Sequence, residues 1–245
     1  MINQNPVTII CMKWGTKYGA EYVNKLYAMV KRNLSLPFQM VCFTDDGKDV
    51  NPKVMIKDLP PLDLPKGAPE RGWNKLTTLQ TDLGDLEGEA LFLDLDVVIV
   101  DNIDELFSFP AEFSVIRDAK LTRSMVGNTS VYRFKIGRYD DVLQNFRKNF
   151  PQIQKDYRNE QAYLSDEVRK KGDLSFWPEA WCPSYKYHCM KKWPFNYFQD
   201  SIIPEGAKII IFHGHPEPIE AIKGVTTKWY RPIRPTAWIA DFWRE

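Results

Sequence analysis

The chain of 245 residues lacks an excess of charge of either sign, with 33 Lys and Arg against 32 Asp and Glu. Proteins that bind nucleic acid through their overall field usually carry a basic surplus. The composition therefore predicts no nucleic-acid partner. A chain of this length buries roughly 70–75% of its unfolded surface, which is enough for a substantial core without disulfides or metals as staples.

Long apolar runs and targeting patterns are also missing. No stretch approaches the ~20 apolar residues of a membrane span, and residues 1–6 have neither the charged region nor the apolar run of a signal peptide. The cysteines have no C-x-x-C spacing, which argues against a zinc ribbon or a redox motif. We therefore predict a cytoplasmic protein in a reducing setting.

Short apolar runs alternate with amphipathic segments along the chain. The pattern predicts strands at 7–12, 40–43, 54–56, 90–100, 113–117, 129–134 and 208–212, and helices at 21–34, 73–83, 101–107, 139–150 and 159–170. Such alternation is typical of an α/β protein with a parallel sheet. Ligands of open α/β sheets bind at the carboxyl ends of the strands.

Asp94 and Asp96 interrupt the most apolar predicted strand. Alternate side chains of a strand share a face, so we expect both carboxylates to point the same way and Leu95 to point away. Two carboxylates at the end of a buried strand repel each other unless a positive group lies between them. Oxygen ligands select Mg²⁺ or Mn²⁺, so the motif predicts a divalent-cation site. A pair of surface acids is the plainer alternative.

A D-x-D motif at a strand end also occurs in haloacid-dehalogenase-like phosphatases. There the motif lies on the first strand, and a small or hydroxyl residue follows the second Asp. Here Val97 follows Asp96, and two or three predicted strands precede the motif. The phosphatase stays as a disfavoured alternative.

The chain resembles the GT-A glycosyltransferases, in particular the retaining family that contains glycogenin and bacterial lipopolysaccharide galactosyltransferases. The specific match is the segment from Asp94 to Phe107. Weaker matches are Trp73-Asn74-Lys75-Leu76, Asn128-Thr129-Ser130-Val131 and Glu160-Gln161 followed by Leu164. The resemblance spans about residues 7–214. It implies a GT-A, Rossmann-like sheet that is mostly parallel and flanked by helices.

The resemblance also implies that Asp94 and Asp96 bind the metal. The family places a third ligand in a late H-x-x-G-x-x-K-P-W motif, where this chain reads Ile211-Phe212-His213-Gly214-His215-Pro216-Glu217-Pro218. His213 lies two residues after the family's His position and keeps its strand face, so it is the predicted third ligand. His215 is the second choice, and two turn histidines without metal are the plain alternative. The motif's phosphate-binding Lys is missing, because Glu217 precedes Pro218.

Further site residues follow from the first loop and from the resemblance. The loop from Met12 to Tyr18 should line the nucleotide base, with Tyr18 stacking on it. Lys75 resembles the family Lys that approaches the donor sugar or phosphate, and Arg71 is a second candidate cation. Leu95 completes the predicted donor-binding set. By resemblance, Asn128 and Glu160 contact sugar hydroxyls and act as catalytic residues beside Lys75.

These residues predict a hexosyltransferase. A sugar would pass with retention from a nucleoside diphosphate, UDP-hexose by resemblance, to a hydroxyl of a cell-surface glycan or glycolipid. The metal and Lys75 would neutralise the leaving diphosphate. In an inverting enzyme, Glu160 or Asp166 would be the general base. The altered late motif leaves a catalytically silent nucleotide-sugar-binding module as the alternative.

The aromatic residues are concentrated near the C-terminus. Residues 176–245 hold 15 of the 33 aromatic side chains, and basic residues flank many of them, as in 186–188, 191–193 and 228–231. We predict a nucleotide-sugar and metal-binding core at 1–175 and an acceptor-side region at 176–245, which includes the last core strand at about 208–214. Aromatic rings suit sugars and membrane interfaces, so peripheral contact with the inner membrane face is one expectation and ordinary packing is another.

Overall fold

A mixed sheet of seven strands forms the centre of the protein in a computed structural model, which describes residues 6–65, 67, 72–120, 125–225 and 232–245. The strands are Val7–Lys13 (β1), Phe38–Thr44 (β2), Met55–Asp58 (β3), Glu89–Leu93 (β4), Val98–Ile99 (β5), Phe113–Arg117 (β6), Gly127–Lys135 (β7), Leu174–Phe176 (β8) and Ile209–Ile210 (β9). The order across the large sheet is β3-β2-β1-β4-β7-β6-β8, whereas β5 and β9 form a separate pair. Four of its six neighbouring pairs are parallel and β7 is antiparallel to both neighbours, so the predicted α/β class is confirmed.

Helices and irregular segments cover both faces of the sheet. The α-helices are Ala20–Asn33 (α1), Glu105–Ser108 (α2), Asp140–Asp156 (α3), Glu160–Lys170 (α4), Pro218–Lys223 (α5) and Ala237–Phe242 (α6), and 3₁₀ helices span Trp73–Leu79 and Phe195–Tyr197. Alternate residues of β1 belong to different apolar clusters, with Ile9 and Cys11 on one face of the sheet and Ile10 and Met12 on the other. A strand buried on both faces reads as a continuous apolar run, which is why the sequence pattern located β1 correctly.

The predicted strand at 90–100 is wrong in one important respect, because it is interrupted at the aspartates. β4 ends at Leu93, residues 95 and 96 form a turn, and β5 then pairs antiparallel with β9 outside the large sheet. The amide of Asp94 still donates to the carbonyl of Ser130 at 2.8 Å. The strand-face argument for the two carboxylates therefore does not apply, and a turn after β4 brings them together instead.

The last predicted strand at 208–212 is shorter than expected and is not part of the large sheet. Only β9 is a strand, and it pairs with β5. Residues from both predicted regions nevertheless share one apolar cluster, which includes Ile9 and Val23 from the first and Trp177 and Tyr185 from the second. The division of the chain at residue 175 stays a prediction.

Three helices differ from their predicted bounds. The predicted helix at 73–83 is a 3₁₀ helix that ends at Leu79, and α2 starts at Glu105 rather than near Asp101. α3 continues past Phe150 through a kink at Asn149, which Pro151 explains because proline cannot donate to the preceding turn. None of the helices in the described ranges combines the length and the apolarity that crossing a membrane requires.

Candidate active site

A cavity of about 510 Å³ opens at the carboxyl ends of β1 and β4, and we call it the main cavity. Its lining includes seven of the predicted site residues: Met12, Tyr18, Lys75, Asp94, Leu95, Asp96 and His213. Met12 is near the end of β1, and the aspartates follow β4 directly. The edge of the sheet predicted for ligands is therefore the edge that carries these side chains.

Lys75 lies against Asp94 at the floor of the main cavity. The Nζ atom of Lys75 is 2.7 Å from Oδ1 and 2.8 Å from Oδ2 of Asp94, and it also donates to the carbonyl of Thr129. Burial by itself lowers the pKa of Lys75, but Asp94, Glu160 and Asp96 together raise it. Lys75 is therefore held as a cation, and it neutralises part of the carboxylate repulsion that the sequence assigned to a metal.

Asp96 is the more deeply buried member of the motif, with 8% of its surface exposed. The hydroxyl of Tyr18 donates to Oδ2 of Asp96 at 3.0 Å. Burial and then the neighbouring Asp94 raise the pKa of Asp96 to about 7, against the hydrogen bond of Tyr18. Burial and Asp96 in turn raise the pKa of Tyr18, so this hydroxyl stays a proton donor.

Glu160 is buried beneath Lys75 and does not line the main cavity. α4 begins there because Oδ1 of Asn159 accepts the amide hydrogen of Ala162, which caps the first turn. The carboxylate of Glu160 accepts a hydrogen bond from Thr129, and burial raises its pKa although Lys75 opposes that shift. Glu160 thus supports the floor from behind rather than facing a ligand.

Gly72 starts the 3₁₀ helix that carries Lys75. Its φ of 82° is left-handed, a conformation that glycine adopts without strain. A Cβ atom at this position would lie 3.8 Å from Oε2 of Glu160, and Gly72 also lines the main cavity. The backbone therefore passes close to the Glu160 carboxylate before it reaches Lys75, whose side chain pairs with Asp94.

Asn128 lies in a smaller neighbouring cavity of about 40 Å³, the side cavity, which shares His213 with the main one. Oδ1 of Asn128 accepts the amide hydrogen of Ser130 at 2.9 Å. Asp118 lines the same side cavity and accepts a hydrogen bond from Nε2 of Gln161 at 2.8 Å. The structure therefore places Asn128 next to the floor residues but on a separate concavity.

The two candidate histidines are in different environments. His213 has its ring stacked on Tyr187 at a centroid distance of 5.7 Å, and Nε2 lies 3.4 Å from Oγ of Ser184. His215 points its Nδ1 at the Glu220 carboxylate, 2.8 Å away, and does not line the main cavity. Within the described ranges, no three His, Cys, Asp or Glu side chains come together as a metal-binding group. The structure thus assembles the two aspartates but not the predicted three-residue set.

The two remaining predicted residues are Arg71 and Asp166. Arg71 lies outside the described residues. Asp166 is tied to Tyr157, Arg169 and Lys170 on the outer side of α4 and lines neither cavity. Its pKa is held at about 2, because these hydrogen bonds outweigh the effect of burial. A carboxyl that is ionised and engaged in this way is a poor general base.

Sequence reasoning missed Asp118, Trp14 and Lys17 as lining residues. Asp118 directly follows β6, and a polar residue at the end of a buried strand is a signal that would have found it. Trp14 and Lys17 fall inside the loop that we expected to line the base, but the pattern did not single them out. A loop carries no periodicity, so the sequence does not show which of its side chains turn inward.

The fold is similar to that of several solved glycosyltransferases. The galactosyltransferase LgtC, in complex with donor and acceptor sugar analogues, matches with a TM-score of 0.60 and 12% identity over 86% of this chain and 89% of LgtC. An active-site mutant of LgtC matches at 0.56 and 14% identity. The apo form of the glycosyltransferase GlyE of Streptococcus pneumoniae TIGR4 matches at 0.57 and 12% identity, over 87% of this chain and 56% of GlyE.

No family model matches the chain, and no curated protein matches its sequence. At identities of 11 to 14%, the likeness establishes the fold and not the activity. The chain has the GT-A fold, which confirms the fold that the motifs predicted.

Proposed function

We propose that this chain is a metal-dependent glycosyltransferase that moves a hexose from a nucleoside diphosphate to an acceptor hydroxyl. The observation that carries the proposal is the main cavity, which has Asp94, Asp96 and Lys75 at its floor. Its volume is within the usual range for small-molecule sites. The structural neighbours support the same class, since LgtC and GlyE are glycosyltransferases and LgtC binds donor and acceptor sugar analogues.

Asp94 and Asp96 are the residues that would hold the divalent cation. Mg²⁺ and Mn²⁺ prefer oxygen ligands, and Mg²⁺ is commonly bound by one or two carboxylates together with substrate phosphates. Two carboxylates on one cavity fit this mode without a complete protein cage. His213 lines the same cavity and is the proposed third ligand, although the described side chains are not gathered there into a three-residue metal-binding group. When bound, the cation supplies Lewis-acid stabilisation of the charge that develops on the departing diphosphate.

The chain's own groups orient the donor and stabilise charge. Lys75 supplies a fixed positive charge beside the leaving group, and such a preorganised charge is most effective where water is excluded. Met12 and the ring of Tyr18 provide apolar surface for the base. Asn128 lines the side cavity, and its carboxamide is proposed to contact a sugar hydroxyl there. Glu160 acts as a positioning residue, since it accepts a hydrogen bond from Thr129, whose carbonyl accepts one from Lys75, and its charge favours the cationic form of Lys75.

The placement of Glu160 and Asp166, the two carboxylates considered as general base, supports retention. Inversion requires a carboxylate that faces the acceptor hydroxyl as a general base. Glu160 is buried behind Lys75, and Asp166 is ion-paired on the outer side of α4. Among the described residues that line the main cavity, the only acidic side chains are Asp94 and Asp96. We therefore propose attack from the face of the leaving group, with a phosphate oxygen accepting the proton.

The acceptor is proposed to be a glycan or glycolipid that meets the protein at residues 190–202, the aromatic loop. Trp193, Phe195 and Phe198 are exposed there, and Phe198 is 79% exposed. Exposed apolar clusters of this kind mark interaction sites, and Lys191 and Lys192 flank this one. Aromatic rings next to lysines suit sugar faces and anionic membrane surfaces. The predicted motif at 228–231 lies outside the described residues.

A thermal-shift panel of nucleotides with and without Mn²⁺ tests the proposed function. A ligand that binds only the native state raises the melting temperature. We expect UDP or GDP to stabilise the wild type only when Mn²⁺ is present, and Asp96→Asn to lose that stabilisation while keeping a native melting transition. Two results contradict the metal site. One is nucleotide stabilisation of Asp96→Asn equal to that of the wild type, and the other is nucleotide stabilisation of the wild type in excess chelator.

Turnover separates the transferase from the silent binding module that the altered late motif suggests. A transferase hydrolyses or transfers the sugar of the donor that stabilises it, and the product diphosphate appears over time. The binding module gives the same Mn²⁺-dependent thermal shift without any diphosphate released across a broad screen of donors and acceptors. Release of phosphate from simple phosphate esters instead would support the phosphatase.

A further inference from the structure

Two segments from opposite ends of the chain meet over the main cavity. The first loop, residues 14–19, joins β1 to α1, and the late segment, residues 213–217, leads into α5. Nζ of Lys17 in the first loop lies 3.0 Å from a carboxylate oxygen of Glu217 in the late segment. Lys17 and Gly214 both line the main cavity, so this contact lies at its rim.

Lys17 is linked to the buried motif through one hydroxyl group. Its Nζ atom lies 2.6 Å from the hydroxyl of Tyr18, and that hydroxyl donates to Asp96 at 3.0 Å. The ammonium group of Lys17 is therefore close enough to contact a ligand that is bound to the aspartates through a cation.

The rim pair, Lys17 with Glu217, differs from the floor pair, Lys75 with Asp94, in how firmly its lysine is held. Lys75 is 13% exposed and faces both oxygens of Asp94, whereas Lys17 is 61% exposed and has one carboxylate partner. Although Glu217 is only 16% exposed, the lysine end of this pair is open to water, and an ion pair with an exposed lysine contributes little to stability. Lys17 can therefore exchange Glu217 for another anion at little cost, and Lys75 cannot leave Asp94 in the same way.

Glu217 remains satisfied when Lys17 leaves it. Its side chain accepts the backbone amide hydrogen of Glu220 in the capping box of α5, and it accepts a hydrogen bond from the hydroxyl of Tyr22 at 3.4 Å. Lys186 also reaches the late segment and donates to the carbonyl of His213, but it does not line the main cavity. Of the described lining residues, Lys17 and Lys75 are the two lysines that a diphosphate would meet.

We propose that Lys17 is a diphosphate-binding residue that exchanges the Glu217 carboxylate for a phosphate oxygen of the incoming nucleotide. This inference rests on the proposed function, because it takes a nucleoside diphosphate as the ligand. It places a phosphate-binding cation in the first loop, opposite the late segment, where Glu217 contributes a negative charge. The two rim residues then have opposite effects on affinity: Lys17 favours the diphosphate and Glu217 competes with it.

Calorimetric titration of the full chain with UDP and with UMP in the presence of Mn²⁺ tests the exchange. A charge-assisted hydrogen bond contributes about 1.5–3 kcal/mol, so Lys17→Gln should weaken UDP binding by about tenfold or more and UMP binding by less. Glu217→Gln keeps the oxygen that caps α5 and should tighten UDP binding by about threefold, since it removes the carboxylate that competes for Lys17. Lys171→Gln breaks the comparable surface pair with Asp141 and should leave both affinities unchanged.

The opposite signs separate a binding role from a structural one. A pair that only fastens the two segments together predicts equal losses in melting temperature for Lys17→Gln and Glu217→Gln, and a shift of UDP affinity in the same direction. That result overturns the inference, as does UDP affinity in Lys17→Gln equal to that of the wild type. A wild type that binds neither UDP nor GDP contradicts the proposed function itself, and the inference with it.

Discussion

The floor and the rim of the main cavity each hold a lysine beside an acidic residue, but they hold it in opposite ways. At the floor, Lys75 is largely buried and faces both oxygens of Asp94. At the rim, Lys17 is mostly exposed and shares one contact with Glu217. Breaking a pair whose lysine is buried leaves an uncompensated charge, whereas a lysine that is mostly exposed can exchange its partner for water or a ligand. The floor should therefore govern both stability and binding, and the rim should govern binding alone.

Lys75→Met should have the largest effect. It leaves Asp94 and the buried Glu160 without their common cation, so we expect unfolding to become easier by about 2–3 kcal/mol and UDP binding to be lost. Denaturant unfolding and calorimetry measure the two effects. Lys75→Arg, which keeps the charge, is the control and should recover most of the stability. A stability loss below about 0.5 kcal/mol in Lys75→Met would place the floor pair in the same class as the surface pairs.

Tyr18 lies between the floor and the rim. Two substitutions should distinguish the effect of its hydroxyl group from the effect of its ring. Tyr18→Phe removes only the hydroxyl that bonds Asp96 and Lys17, so we expect a loss of about 1.5 kcal/mol in stability and continued binding of the nucleoside. Tyr18→Ala also removes the ring, and stacking of a base on an aromatic side chain contributes about 1–3 kcal/mol. Titration with UMP distinguishes the variants. Equal UMP affinity in both variants contradicts stacking on Tyr18.

Substitution of His213 and of His215 should have different effects on metal binding. We expect His213→Ala to weaken Mn²⁺ binding by about tenfold or more, as loss of a ligand or of its support does, and His215→Ala to leave it unchanged because its Nδ1 faces Glu220. Mn²⁺ binding to the free protein can be followed by electron paramagnetic resonance. Equal affinities in the two variants would remove His213 from the proposed ligand set.

Sequence patterns predicted the floor better than the rim for a physical reason. The apolar strand that leads to Asp94 and the capped helix that begins at Glu160 are set by local patterns that a sequence shows directly. Lys17 and Glu217 are 200 positions apart in the sequence, and both lie in irregular segments. No local pattern, such as periodicity or a helix cap, predicts a contact between them. The same limit explains the error at β4, since an apolar run shows where burial occurs but not where a buried strand turns.

Substitutions in the aromatic loop should leave the main cavity unaffected. Trp193→Ser and Phe198→Ser remove exposed rings, so we expect changes in stability within about 0.5 kcal/mol and unchanged UDP affinity. Their effect should appear only in transfer to a glycan or glycolipid acceptor and in binding to anionic vesicles. Trp73→Phe, which alters a buried ring stacked on Phe146, is the contrasting variant and should change stability instead. Loss of UDP binding in Phe198→Ser would show that the aromatic loop takes part in donor binding.

Asp166→Asn should have the smallest effect on donor binding and sugar transfer, and its effect on stability should be modest. Its pKa is about 2 in the folded protein, below the ordinary value of 3.8, because Tyr157, Arg169 and Lys170 hold the carboxylate. A carboxyl whose pKa is lower in the folded protein than in the unfolded chain stabilises the fold at pH values above the unfolded pKa. This contribution is lost as the pH falls towards the folded pKa. We therefore expect Asp166→Asn to cost about 0.5–1 kcal/mol at pH 6 and less at pH 3.5, with unchanged transfer activity. Denaturant unfolding at the two pH values measures the difference. A large loss of activity would instead restore Asp166 as a general base and, with it, an inverting reaction.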